Sequence, residues 1–294
     1  MINAVLLATT PKDKRELING NNKAFNKIGN RYVFEYVLDA LYFSYSIDDI
    51  LVVGPGVVKN VREPEVSLEG ILNSYKTQHG GKKIDIFKEY KKGRAYQIFL
   101  ANVQSAHELA KVGNKSVLFA PSDIPLAKSK HIDDFVDDCM HHDNIAENDV
   151  YYCIINNKKT TAEYPGHIRQ GYKLSEESFR PANLVLVKPS GIKNPDVLAK
   201  AFIGTRKLSN PIAKIKLAHY VGYAKAFDHI IKYLSGKAKI SDVEDAIGNA
   251  MGARLKLIET SYAELEYDID DSNDHCELKR RLESSIVQKY AKKA

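Results

Sequence analysis

The chain has 294 residues, of which 44% are hydrophobic and 27% charged, and a net charge of +6. That is long enough to bury a substantial core in one large domain or two small ones. No apolar run reaches the ~18 residues of a membrane span, and the basic residues lack the interleaved aromatics of a nucleic-acid surface, so neither a membrane nor a nucleic acid is an expected partner. Cys139, Cys153 and Cys276 have no CxxC spacing, which argues against a disulfide framework or a zinc site and for a reducing, cytoplasmic setting. The N-terminus lacks a charged n-region and a cleavage site, so no signal peptide is expected. A mild positive field favours anionic small molecules.

In chain order, Ile2–Ala8 reads as a buried strand, followed by a polar loop from Thr9 to Asn22. Val33, Tyr36, Val37, Ala40 and Leu41 give Tyr32–Tyr45 a helical period. Ile50–Val53 is a second buried strand, stopped by Gly54-Pro55-Gly56, and residues 57–83 carry no clear period. Ile84–Phe87 reads as a short strand, Arg94–Lys111 as a helix, and Val117–Ala120 as a buried strand. His131–Met140 reads as a helix, Val150–Ile155 and Asn183–Val187 as strands. His141-His142-Asp143 reads as an exposed helix end, because adjacent histidines on a helix face different ways.

Residues 195–252 change character. Asp196–Ile203, Pro211–Tyr223, Ala226–Leu234 and Ser241–Met251 all carry helical spacing, and Ser241-Asp242-Val243-Glu244 has the form of a capping box. Arg254–Tyr267 returns to strand-like alternation, and a charged helix from about Cys276 closes the chain. The alternation of strands and helices predicts an α/β fold with a mostly parallel sheet covered by helices. The expected organisation is a single domain, 1–294, with a helical insertion at 195–252.

The stretch Ser116-Val-Leu-Phe-Ala-Pro-Ser-Asp-Ile-Pro-Leu126 carries the most chemistry. Asp123 lies just past the end of a buried strand, where open α/β sheets place their ligands. Pro125 keeps Ile124 out of the helical region, so Asp123 sits on a stiff extended turn suited to a divalent cation.

Several segments, taken in order, resemble the MobA-like nucleotidyltransferases. They are Ala4–Ala8, Lys23-Ala24-Phe25, Ile28–Leu41, Ile47–Gly54, Ser122-Asp123-Ile124-Pro125-Leu126, Arg180-Pro181-Ala182-Asn183-Leu184 and Tyr262–Asp274. The resemblance implies a three-layer, Rossmann-like core of GT-A type, with a mixed and mostly parallel sheet flanked by helices. It implies transfer of a nucleoside monophosphate from an NTP to a phosphorylated acceptor, a sugar phosphate or similar, with release of pyrophosphate. Asp123 with Asp270 or Asp268 would hold Mg²⁺, which takes one or two carboxylates plus substrate phosphates. Lys23 would set a charge on the phosphates as a catalytic residue beside Asp123. Leu7, Ala8, Thr9, Thr10, Arg15, Lys23, Gly93 and Arg94 would bind the nucleotide, and Arg180 and Asn183 the acceptor. A homo-oligomer stays open.

The chain departs from that family at one place. Where glycines follow the first strand in the family, this sequence has Thr9-Thr10-Pro11. Threonine resists positive φ, and Pro11 removes an amide donor. Two further readings follow. Asp268-Ile269-Asp270 is a D-x-D, the mark of a GT-A glycosyltransferase using an NDP-sugar, though it stands near the C-terminus. A degenerate member that binds nucleotide without turnover is the other.

Overall fold

The computed structural model describes residues 1–10, 17–18, 20–60, 63–90, 101–105, 108, 116–141, 148–167, 169, 171–194, 232 and 235–291. In chain order the elements are β1 (Ile2–Leu7), β2 (Leu17–Ile18), β3 (Asn21–Asn22), β4 (Lys27–Ile28), β5 (Arg31–Tyr32), α1 (Val33–Tyr42) and β6 (Ile47–Gly54). Then come β7 (Val57–Asn60), β8 (Glu63–Ser67), α2 (Leu68–His79), β9 (Ile84–Lys88), β10 (Val117–Pro121), α3 (Ser129–His141), β11 (Val150–Asn156) and α4 (Asn157–Glu163). The chain closes with β12 (Tyr172–Lys173), β13 (Ser178–Val187), α5 (Ile240–Met251), β14 (Leu255–Thr260) and α6 (Ser272–Ala291). Eight of the strands make up a mixed, mostly parallel sheet with flanking helices, the Rossmann-like α/β class expected. No helix among the described residues is long and apolar enough to cross a membrane.

Two compact units divide the chain. The first comprises 1–89, 119–134 and 264–294, the second 90–118 and 135–263. In the first, β10, β1, β6 and β9 follow one another in that order. The β1–β6 and β6–β9 pairings are parallel, so the carboxyl ends of these three strands open on one edge. Ala4, Val5 and Leu6 of β1 and Val52 and Val53 of β6 are fully buried, as strands covered on both faces must be. Val33, Phe34, Val37, Leu38 and Leu41 give α1 a fully buried face, each side chain contributing about 1.5–3 kcal/mol on leaving water. The helix opens where Glu35 accepts the Tyr32 N–H at 2.7 Å, which satisfies a donor the first turn leaves open.

In the second unit β11 is flanked by β14 and β13, and β12 pairs with β13. β11–β14 is parallel and β11–β13 antiparallel. Tyr152 pairs with Val185, but Ile154 already pairs with Pro181, so β13 bulges over Ala182–Leu184. Asn183 in the bulge has φ 60°, a positive value found at no other non-glycine among the described residues.

The structure alters several expectations. Residues 57–83 form the β7–β8 hairpin and α2, whose N-cap Ser67 accepts the Gly70 N–H at 2.9 Å. β13 begins five residues earlier than Asn183 because the bulge absorbs Asn183 within the strand. The capping residue of α5 is not Ser241: the helix starts at Ile240, and Asp242 accepts the Lys239 N–H at 2.9 Å. Glu244 instead accepts the Leu257 N–H of β14 at 2.8 Å. Of the insertion at 195–252, residues 195–231 and 233–234 lie outside the described residues, as does most of the expected helix Arg94–Lys111, where 101–105 are helical. His141 ends α3 and is exposed, while His142 and Asp143 lie outside.

Candidate functional site

Lys23 opens a short 3-10 turn, Lys23–Phe25, that follows the polar loop. Asn22 caps the turn by accepting the Ala24 N–H at 3.1 Å. Asn22 also donates through Nδ2 to the Thr9 carbonyl at 3.1 Å, so one buried side chain ties the Lys23 turn to the end of β1. Asp123 stands two residues beyond β10 and is 6% exposed. The third segment of the site is the stretch after the 3-10 turn Ala263–Leu265. Asp268 and Asp270 lie on this irregular stretch, beyond the strand-like alternation read for Arg254–Tyr267, of which the structure keeps as a strand only Leu255–Thr260. Ile269 N–H donates to the Asp123 carbonyl at 3.0 Å, which brings the two acidic turns together.

The Lys23 ammonium lies in this junction. Its Nζ is in direct contact with Asp123 Oδ2 and is 3.4 Å from Asp270 Oδ1. Burial works against its charge, but the attraction of Asp123, Asp268 and Asp270 and the hydrogen bond to Asp123 outweigh it. The lysine pKa therefore stands above its ordinary range. Asp271 and Asp274 have a different task. Asp274 accepts the N–H groups of Asp270 and Asp271 at 2.9 and 3.2 Å, and Asp271 accepts those of Asn273 and Asp274 at 2.7 and 2.9 Å. They shape the turn and cap α6, leaving Asp268 and Asp270 as the carboxylates of this turn whose charge acts on Lys23.

The donor set fits a hard cation in one respect. Asp123 and Asp270 present oxygens to one point, now held by an ammonium, and Mg²⁺ asks for one or two protein carboxylates with substrate phosphates completing its shell. No group of three His, Cys, Asp or Glu disposed to hold a metal by itself occurs among the described residues. A cation there would depend on oxygens brought by the substrate.

The other expected residues fall into three sets. Leu7 ends β1, and Ala8 N–H continues the ladder to the Val53 carbonyl at 2.8 Å. Thr9 is bound through its carbonyl to Asn22, while Thr10 turns to Glu89, whose Oε2 accepts the Thr10 N–H at 2.6 Å and whose Oε1 accepts the Thr10 hydroxyl at 2.6 Å. Arg15, Gly93 and Arg94 lie outside the described residues. Arg180 and Asn183 belong to the second unit. Arg180 is 3% exposed and its guanidinium donates to the backbone carbonyls of His167 and Arg169. Sequence reasoning missed Asn22 and Glu89. A polar side chain directly before Lys23, and a lone acid closing the β9 strand, were the available signals. A cavity of about 340 Å³ lined by Tyr42, Lys76 and Gly80–Asp85 contains none of the expected residues.

No family model matches the sequence, and no curated protein matches it. Solved structures do. A hypothetical transferase from Thermus thermophilus superposes with a TM-score of 0.64 at 22% identity, covering 93% of this chain and 99% of that one. A 4-diphosphocytidyl-2C-methyl-D-erythritol synthase from Anaerococcus prevotii gives a TM-score of 0.50 at 12% identity, over 96% of each chain. A second structure of a synthase of that name also gives 0.50 at 12% identity, over 96% of this chain and 99% of its own. At these identities the likeness is one of fold.

Proposed function

We propose that this chain is a Mg²⁺-dependent nucleotidyltransferase that moves a nucleoside monophosphate from an NTP to a phosphorylated small molecule. The observation that carries the reading is the convergence of Lys23, Asp123 and Asp270 beyond the strand ends. The fold shared with synthases whose name describes a diphosphocytidyl product agrees with it.

In the reaction an acceptor phosphate oxygen bonds to the α-phosphorus of the NTP, the bond from that phosphorus to the α–β bridging oxygen breaks, and pyrophosphate leaves. Asp123 with Asp270, or with Asp268, would hold Mg²⁺, which when bound offsets charge on the α-phosphate and the leaving group. Lys23 keeps its proton throughout the neutral range and so offers a fixed positive charge to the phosphates. Arg180 and Asn183 would serve the acceptor. The strained backbone of Asn183 within a strand bulge is the kind of feature that accumulates at ligand sites.

The test is pyrophosphate release from ATP, CTP, GTP and UTP, each with Mg²⁺ and a panel of sugar phosphates and other phosphorylated alcohols. One nucleotide with one acceptor class should release pyrophosphate, and Asp123→Asn and Asp270→Asn should each abolish it. Full activity in both variants would sink the metal assignment. Nucleotide binding without product for any acceptor would favour a binding protein that has lost turnover.

A further inference from the structure

We propose that Glu89 is a positioning residue that shapes the nucleotide loop of this chain, doing through a buried carboxylate what glycines do in a phosphate loop; the proposal rests on the nucleotidyltransferase reading. Glu89 follows directly on β9, and its N–H donates to the Gly54 carbonyl at 2.9 Å, so its backbone is fixed to the end of β6. The residue is 6% exposed. Its two carboxylate oxygens take both donors of Thr10, each at 2.6 Å. Hydrogen bonds of that length to a carboxylate are among the strong ones, and a carboxylate so buried holds its place only with its lone pairs satisfied.

Thr9 and Thr10 are thus gripped from two directions. Glu89 pulls Thr10 from the β9 side, and Asn22 holds the Thr9 carbonyl from the Lys23 turn. A glycine-rich loop is free to wrap a phosphate and lets the ligand complete its shape. Threonines cannot do that, so a loop built of them must be set beforehand. Just before the loop, Ala8 runs close beside the end of β6: a Cβ on Gly54 would lie 3.3 Å from the Ala8 carbonyl oxygen. Two consequences follow. The Thr10 N–H and hydroxyl are committed to Glu89, so phosphate charge falls to Lys23. And because Asn22 holds both Thr9 and the Lys23 turn, the pose that Glu89 gives the loop is passed on to Lys23.

The experiment uses the full chain as wild type, Glu89→Ala, Glu89→Gln, Thr10→Val and the Glu89→Ala/Thr10→Val double variant. Two quantities are read: amide hydrogen exchange across Thr9–Thr10 without nucleotide, and affinity for ATP, CTP, GTP and UTP, each with Mg²⁺. In Glu89→Ala, exchange at Thr10 should rise at least about tenfold and affinity for the preferred nucleotide should fall about tenfold. Turnover at saturating nucleotide should change far less than KM, as expected of a residue that sets binding geometry. Glu89→Gln, which keeps one acceptor oxygen, should fall between. Adding Thr10→Val to Glu89→Ala should change nothing further, because Glu89 acts through Thr10. Unchanged exchange in Glu89→Ala overturns the proposal whatever the affinities do. Tighter nucleotide binding in Glu89→Ala also overturns it, since Glu89 would then be a competitor of phosphate. Raised exchange in Glu89→Ala together with a wild type that binds no nucleotide supports the hold on the loop and overturns the nucleotidyltransferase reading.

Discussion

The backbone N–H of Ile269 donates to the carbonyl of Asp123 across 3.0 Å, joining two turns separated by nearly half the sequence. This single bond explains why Asp270 reaches the ammonium that Asp123 holds. It leaves both carboxylates themselves unspent on backbone contact with each other, facing Lys23.

Replacing Lys23 by Met leaves those carboxylates facing one another without a counter-charge. Breaking a buried pair from one side costs about 3–5 kcal/mol; Asp270 is half exposed, so a loss of about 1–3 kcal/mol is expected after solvent screening. Urea unfolding of Lys23→Met should recover part of that loss as Mg²⁺ is raised, since a cation would then take the ammonium's place. Wild type should respond to Mg²⁺ less. Equal responses would show that Lys23 and the cation do not share the carboxylates.

Asn183 separates backbone from side chain. Its left-handed conformation costs a residue with a Cβ roughly 1–2 kcal/mol, which Asn tolerates better than most residues. Asn183→Gly should therefore fold at least as stably as wild type, and Asn183→Ala should unfold about 1 kcal/mol sooner. If the side chain meets the acceptor, both variants should raise the acceptor KM while leaving the nucleotide KM alone. Unchanged acceptor KM in Asn183→Gly would confine Asn183 to the bulge.

Two buried histidines make stability fall in mild acid. Burial lowers the pKa of His131, against the pull of Glu264 and with Lys128 and Lys130 assisting, and Lys128 N–H donates to its Nδ1 at 3.3 Å. Burial likewise lowers that of His275, whose Nε2 is buried without a hydrogen-bond partner among the described residues. The unfolded chain takes up protons at the ordinary histidine pKa of about 6.5 that the folded chain resists. Their contribution is thus complete above that value and is lost progressively as pH falls through the lowered folded values. Denaturant midpoints at pH 7.5 and 5.5 should differ less in His275→Gln and in His131→Gln than in wild type. A wild-type slope in both variants would assign the acid loss to carboxylates alone.

Gly54 is required by space. A Cβ there would meet Leu68 Cδ2 at 2.9 Å and the Ala8 carbonyl at 3.3 Å, and Leu68 is fully buried. Gly54→Ala should destabilise by about 1–3 kcal/mol. Pairing it with Leu68→Val should return part of that loss, because the nearer clash is with a side chain end; additive losses in thermal unfolding would place the conflict at the Ala8 backbone.

Much of the fold was legible because its strands are buried on both faces. Leu6 and Val5, Leu51–Val53 and Val117–Ala120 announce themselves as apolar runs, and α1 through its 3.6-residue period. The β7–β8 hairpin escaped because its strand Glu63–Ser67 is polar, with no buried face to produce alternation. The start of α5 was misread because Ser241 and Glu244 match a motif, while the backbone chose Lys239 and Asp242. Asp123, Lys23 and Asp270 stand out in the sequence by type and order, and the structure brings the three together. Glu89 and Asn22 do not stand out, since their importance lies in partners that are 79 and 13 residues away, and no local pattern encodes such a pairing.

The three thiols divide between the units in a usable way. Cys276 is exposed on α6, whereas Cys139 and Cys153 are buried in the second unit, where burial pushes both thiols well up. Thiolate, not thiol, reacts with alkylating reagents. A single labelling time course therefore carries two clocks: a fast one at Cys276 that calibrates the reagent, and a slow one at Cys139 and Cys153 that ticks only when the second unit opens.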